Sequence, residues 1–254
     1  MDYLSNCHSE RSEESKDILR SFTSFRMTII LFFILCTHAF ADGSIVGTVK
    51  FEGNAPHSKL IHMDADPVCY AVNRGNVKSQ TIIVGDNNTL ADAFVYIKSG
   101  LTKTDYPAPT DVAVINQGGC NYTPHVIGVM KGQKVKFLNP DGTLHNVHGI
   151  CQINPEFNVA MPDFRKEMEI TFDKPEFMFP VQCDVHPWMQ AWMAVMNHPF
   201  FAVTGSDGKF EIKNVPAGTY EIEAWHEKLE SKTASVTVKD GTTQKIDLTF
   251  SEPK

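Results

Sequence analysis

Nowhere does this chain repeat apolar residues at a 3.6-residue period over a long stretch, which excludes a helical bundle or coiled coil. It has no Lys/Arg-rich block and a formal net charge of -7, which argues against nucleic acid as its main partner. It has no glycine-rich phosphate loop either. The apolar run Ile29–Leu35 is too short to cross a bilayer. Six cysteines in 254 residues are too sparse for a disulfide-only miniprotein.

What is there is strand pattern. "SIVGTVKFEG" alternates apolar and polar residues before a glycine turn, and "ADAFVYIKSG", "DVAVINQGG", "QKVKFLNPDG", "EMEITFDKPEFMFPVQC" and "GTYEIEAWHEK" continue in the same style. Turn chemistry recurs as Lys131-Gly132, Pro140-Asp141-Gly142, Ser206-Asp207-Gly208, Ala217-Gly218 and Asp240-Gly241. These features predict an all-β protein built of sandwiches, with one short helix somewhere in 64–77.

The N-terminus divides in two. Residues 27–41, "MTIILFFILCTHAFA", read as a secretory signal peptide that ends in small residues around Ala39-Phe40-Ala41. Residues 1–26 are polar, charged and aperiodic, a non-native or disordered extension; we expect translation to begin at Met27, although that start leaves the leader without a basic residue. An uncleaved anchor is the alternative. Export predicts a periplasmic or extracellular location and permits disulfides among Cys69, Cys120, Cys151 and Cys183. If Cys183 binds a metal, one bridge and one free thiol remain; Cys69–Cys120 is the pairing we favour, with Cys120–Cys151 open as an alternative.

The chemistry lies in the middle of the chain. "CDVHPWM" places a thiol, an imidazole and a thioether within Cys183–Met189, and "TLHNVH" offers His145 from a segment 38 positions earlier. Thiolate and thioether suit soft Cu(I), and imidazole suits both copper oxidation states. A strand that ends at Cys183 and turns into a loop can carry Cys183, His186 and Met189 around one point, with Pro187 stiffening that loop. His148 competes with His145, but on extended backbone the two point different ways.

Two resemblances follow from these residues. Gly43–Val49, Asp207–Phe210 and Val215–Tyr220 resemble the carboxypeptidase regulatory-like, transthyretin-like β-sandwich. Gly132, Val135, Phe137, Asn139, His145, Asn146 and Val147, with Cys183, His186 and Met189, resemble the cupredoxins of the short-loop amicyanin type. The chain as a whole resembles methylamine-utilisation or plastocyanin-like proteins, which combine the two modules. The resemblance implies a Greek-key cupredoxin-like sandwich over 110–197, inserted in or packed beside a transthyretin-like sandwich formed by 42–109 and 198–254. It implies one type 1 copper per chain, with His145, Cys183 and His186 as equatorial ligands and Met189 axial. Asn146 would tie the two ligand loops together, His186 would lie nearest the surface, and Trp188, Met193 and Trp192 would form an apolar docking rim. His125 is expected to be structural, His198 and His226 to belong to the outer sandwich, and Trp225 to pack the outer module.

The function these features imply is electron transfer between redox protein partners, with no bond chemistry, no small-molecule substrate and no enzyme activity. An oxidase or reductase needs a second copper or an open site, and no His-x-His pairs repeat here. The alternative reading is a metal-free or zinc-stabilised β-sandwich that serves adhesion or carbohydrate binding.

Overall fold

The computed structural model describes residues 42–252; the expected leader and the extension before it lie outside the described residues. Sixteen strands and one short α-helix follow in chain order: β1 (Gly43–Glu52), α1 (Pro67–Asn73), β2 (Phe94–Ser99), β3 (Ala113–Asn116), β4 (Val126–Met130), β5 (Lys134–Leu138), β6 (His145–Gly149), β7 (Phe157–Met161), β8 (Glu167–Thr171), β9 (Glu176–Gln182), β10 (Gln190–Met196), β11 (Phe201–Val203), β12 (Lys209–Val215), β13 (Gly218–His226), β14 (Leu229–Val238), β15 (Thr243–Lys245) and β16 (Leu248–Ser251). The protein is an all-β sandwich architecture, as the alternation predicts.

Four sheets are present among the described residues. One has the order β12-β1-β15 with β16 also on β1, and a second has β11-β2-β13-β14. These belong to one sandwich, whose shared core holds Ile45, Val49, Val95, Ile97, Ile212, Ile222 and Phe250. Strict alternation makes β1 work: Gly43, Ile45, Gly47, Val49 and Phe51 face inward. Glycine is required at position 47, because a Cβ there would collide with the Ile246 carbonyl and the Phe210 ring. The other two sheets, β4-β10-β9-β6-β7 and β3-β5-β8, enclose a second core around Ile115, Tyr122, Val135, Phe137, Val147, Phe179 and Val181. All their strands lie between β2 and β11 in the chain, so the second sandwich is inserted into the first.

The two sandwiches meet over a third apolar cluster. Phe94, Val126, Ala194 and Met196 are buried there, with Tyr96, Trp192, Phe201 and Trp225 packed against them. Gly128 admits the rings of Phe94 and Phe201 at this seam, where a Cβ would not fit. Trp225 thus packs at the junction, 5.4 Å from the ring of Trp192, and not within the outer module alone.

One segment sits elsewhere than its place in the chain suggests. Residues 60–78 fall within the 42–109 stretch that the sequence pattern assigns to the outer sandwich. Yet Ile61, Met63, Cys69 and Val77 pack on the inserted sandwich. The helix here, α1, begins with Asp66 as N-cap, which accepts the N–H of Val68 and of Cys69, and has Pro67 at its first position. It stops at Arg74, which adopts a left-handed conformation. A disulfide from Cys69 to Cys120 fastens α1 to the inserted sandwich.

Candidate metal centre

Strand alternation sorts the two histidines of β6. His145 and His148 are three apart and so project to opposite sides. His145 is fully buried, whereas His148 lies near the surface between Asp184 and Glu156, 3.0 Å from each. Only His145 joins the cluster.

Strand β9 ends one residue before Cys183, and the following loop turns back on itself. The Met189 N–H donates to the His186 carbonyl (2.9 Å) and the Cys183 N–H donates to the Met189 carbonyl (3.1 Å). This closed loop brings the side chains of Cys183 and His186 together, and Cys183, His186 and Met189 are all buried. Donor atoms of His145, Cys183 and His186 lie within 4.8 Å of one another. Nδ1 of His145 stands 3.0 Å from Nδ1 of His186, and Cys183 Sγ stands 3.7 Å from Nδ1 of His186. Met189 is wholly buried in the same core cluster as Cys183, as is Met193.

Asn146 links the segments that carry His145 and Cys183. Its backbone N–H donates to Cys183 Sγ (3.5 Å), and its side-chain oxygen accepts the N–H of Asp184 (2.6 Å) and of Val185 (3.4 Å). Such contacts fix the orientation of the groups they touch.

The outward ring nitrogens are where sequence reading fell short. His145 Nε2 lies 3.0 Å from Asp141 Oδ2, and His186 Nε2 lies 3.1 Å from Asp66 Oδ2. Asp141 is legible in the sequence only as part of a turn. Asp66 sits in a polar stretch far from the motif, and no spacing rule singles it out. His186 is 2% exposed against 0% for His145, and Cys69 Sγ lies 3.7 Å from its Nε2, so neither imidazole opens to solvent. One expectation needs correction: the docking rim does not form. Trp188 turns inward to donate its indole N–H to the Cys120 carbonyl (3.1 Å), Met193 is fully buried, and Trp192 packs at the junction. His125 is structural, as expected, bridging the Gln190 carbonyl (3.0 Å) and Glu227 (2.6 Å).

The electrostatics of the cluster favour a cation. Burial pushes the Cys183 thiol up, but hydrogen bonds from His145, His186 and the Asn146 N–H outweigh burial and bring it down to about 6. Burial works against a charged His145, yet Asp141 and Cys183 raise it to about 9. His186 is raised in the same way, by Cys183 and Asp66 against burial. A lowered thiol beside two buried imidazoles is a donor set that a metal ion binds with release of protons. The spacing fits too: donors of a trigonal ion with bonds of ~2.0–2.3 Å stand roughly 3.5–4 Å apart, so the three donors need only small adjustments. Among the described residues, the remaining groups that could hold an ion, Asp66-Cys69-His186 and Cys120-Asp141-His145, share these histidines, and each includes one half of the disulfide.

Residues 195–251 match the carboxypeptidase regulatory-like domain. That span covers β11–β16 and the last two residues of β10; β1 and β2 complete the same sheets from outside it. No curated protein matches the chain. Similar solved structures include a copper-containing nitrite reductase from Thermus scotoductus SA-01, at 20% identity and TM-score 0.32, covering 39% of this chain and 26% of that one. An amicyanin variant in its Cu(I) state is 19% identical at TM-score 0.31, covering 40% of this chain and 98% of its own. A purple cupredoxin from Nitrosopumilus maritimus is 23% identical at TM-score 0.28, covering 33% and 99%. This chain spans about a quarter of the nitrite reductase. Scores this low carry no argument, so the functional reading rests on the side chains themselves.

Proposed function

We propose that this protein is an exported one-electron carrier with a single type 1 copper site, held by His145, Cys183 and His186 with Met189 as the weak axial ligand. The observation that carries the reading is the convergence of one low-pKa thiol and two imidazoles, all buried, on one point at the end of a β-sandwich. A bound copper supplies one-electron chemistry with ligands acceptable to both of its oxidation states. The chain's own part is rigidity: the closed 183–189 loop and the Asn146 bonds keep the donors in place, so little rearrangement accompanies charge transfer.

A carrier role fits better than turnover of a small substrate. Cavities of about 570 and 680 Å³ lie on the outer sandwich, the first lined by residues such as Leu101, Tyr106 and Phe200. Exposed apolar residues border the site instead. Leu144 precedes His145, Val185 precedes His186, and Tyr70 follows Cys69. These suit transient contact with redox protein partners, in place of the tryptophan rim. The Cys69–Cys120 disulfide supports export to an oxidising compartment, the periplasm or beyond.

The test is the visible and EPR spectrum of copper-reconstituted protein beside Cys183→Ser. An intense thiolate-to-copper absorption that vanishes in the variant supports the reading. A protein that takes up zinc tightly but gives no coloured copper form overturns it.

A further inference from the structure

The surroundings of the two histidines repeat. Asp66 accepts the backbone N–H of Cys69 (3.0 Å), and its other oxygen faces His186 Nε2. Asp141 accepts the backbone N–H of Cys120 (2.8 Å) with the oxygen that also faces His145 Nε2, and takes the Gly119 N–H with the other. Each half of the disulfide is therefore bonded to the carboxylate that meets one imidazole. The bridge links the two halves, and both its cysteines are fully buried. Around it, Thr143 donates to Asp66 (3.0 Å) and Asn73 donates to the Gly119 carbonyl (2.8 Å), which ties α1 to the Asp141 side a second and a third time. Cys120 itself has φ of 55°, a left-handed conformation uncommon outside glycine, and the bonds to Asp141 hold it there.

We infer that the Cys69–Cys120 disulfide is a registering device: it locks together two loops, each of which sets one carboxylate on the outward nitrogen of one histidine, and so fixes which nitrogen faces the metal. Asp66 and Asp141 are then positioning residues, one for His186 and one for His145. The idea deepens the copper reading and rests on it for its purpose, but its geometry does not depend on bound metal. A carboxylate facing Nε2 keeps the proton on that atom and leaves Nδ1 free to coordinate.

Nitrogen-15 NMR of the metal-free, full-length protein separates this from a passive cover. The Nε2–H protons of His145 and His186 should both appear as slowly exchanging signals. Asp66→Ala should speed exchange at His186 alone, and Asp141→Ala at His145 alone, by roughly 10- to 100-fold, the factor a charge-assisted hydrogen bond carries. Cys69→Ser/Cys120→Ser should speed both together. Because Asp66 also caps α1, Asp66→Asn is the companion: it keeps the cap and an acceptor without the charge, and should give an intermediate rate. Copper-loaded Asp66→Asn should in addition show a raised reduction potential, because an anion that favours Cu(II) is gone. If the disulfide variant leaves both protons protected, or either alanine variant leaves its own histidine unchanged, the inference fails. That result would leave the copper reading standing, which fails separately if no coloured copper form is obtained.

Discussion

Among the described residues five histidines are buried, one pair in each sandwich and His125 at the junction, and the two pairs behave in opposite ways. In the outer sandwich the rings of His198 and His226 lie beside Phe200 and Phe250. Burial drives His198 below its ordinary value and His226 down to about 4. In the inserted sandwich burial is just as complete, yet His145 rises to about 9 and His186 rises too. The difference is what faces the nitrogens: in the outer pair a backbone N–H donates to each Nδ1, from Phe200 to His198 and from Lys228 to His226, whereas a thiolate and two carboxylates face the inner pair. Burial alone makes a neutral packing residue, while anions aimed at a buried imidazole make a site that seeks cations.

The sharpest way to break this contrast is Cys183→Ser. It should abolish the visible copper band and weaken copper binding at least ~100-fold, beyond the 10- to 100-fold loss typical of outer partners. The cores of both sandwiches should keep their near-UV circular dichroism. If copper affinity is unchanged, the anionic thiolate is not what distinguishes the two pairs.

Next in size is the disulfide. Cys69→Ser/Cys120→Ser opens a loop of 51 residues, for which chain entropy predicts a loss of roughly 4 kcal/mol. Denaturant unfolding should show that loss, and hydrogen exchange should place the local loosening around α1 and residues 117–121, with the outer sandwich unaffected.

The outer pair gives a titration of known sign. His226 in the folded protein binds its proton less readily than in the unfolded chain, so its neutral form stabilises the fold fully above pH 6.5, and this contribution is lost as pH falls toward 4. Wild type should lose on the order of 2 kcal/mol across that window. His226→Phe should flatten the acid limb of a melting-temperature profile.

His125 at the junction sharpens the contrast from the other side. Burial works against its charge, but Glu227, Asp92 and the Gln190 carbonyl raise it overall. A raised histidine stabilises fully below its unfolded value and ceases to do so as pH climbs through its folded one. The wild-type minus His125→Gln difference in stability should therefore shrink as pH rises above 6.5. His226 lies close enough to His125 to couple weakly, so the double variant should depart slightly from additivity.

How much of this was legible differs by element. Alternation and turn residues announce the strands, and the Cys-x-x-His-x-x-Met spacing announces one half of the site. His145 over His148 follows from the strand period. The disulfide was one of two open pairings, and its role was invisible, because a bond between residues 51 apart leaves no local pattern. Asp66 was missed because an N-cap aspartate is common wherever a helix starts, and only the fold brings it to His186. Trp188 misled because its neighbours in the motif suggested a surface rim, whereas the indole N–H finds a buried carbonyl.

The nesting of one sandwich within the other imposes an order of assembly. Strand β1 finds its partners β12, β15 and β16 only after the chain has run on past residue 209, while the inserted sandwich completes its sheets between residues 113 and 196. A chain that emerges from its N-terminus can thus finish the inserted half first, and must carry β1 as an unpaired edge until its C-terminal third arrives.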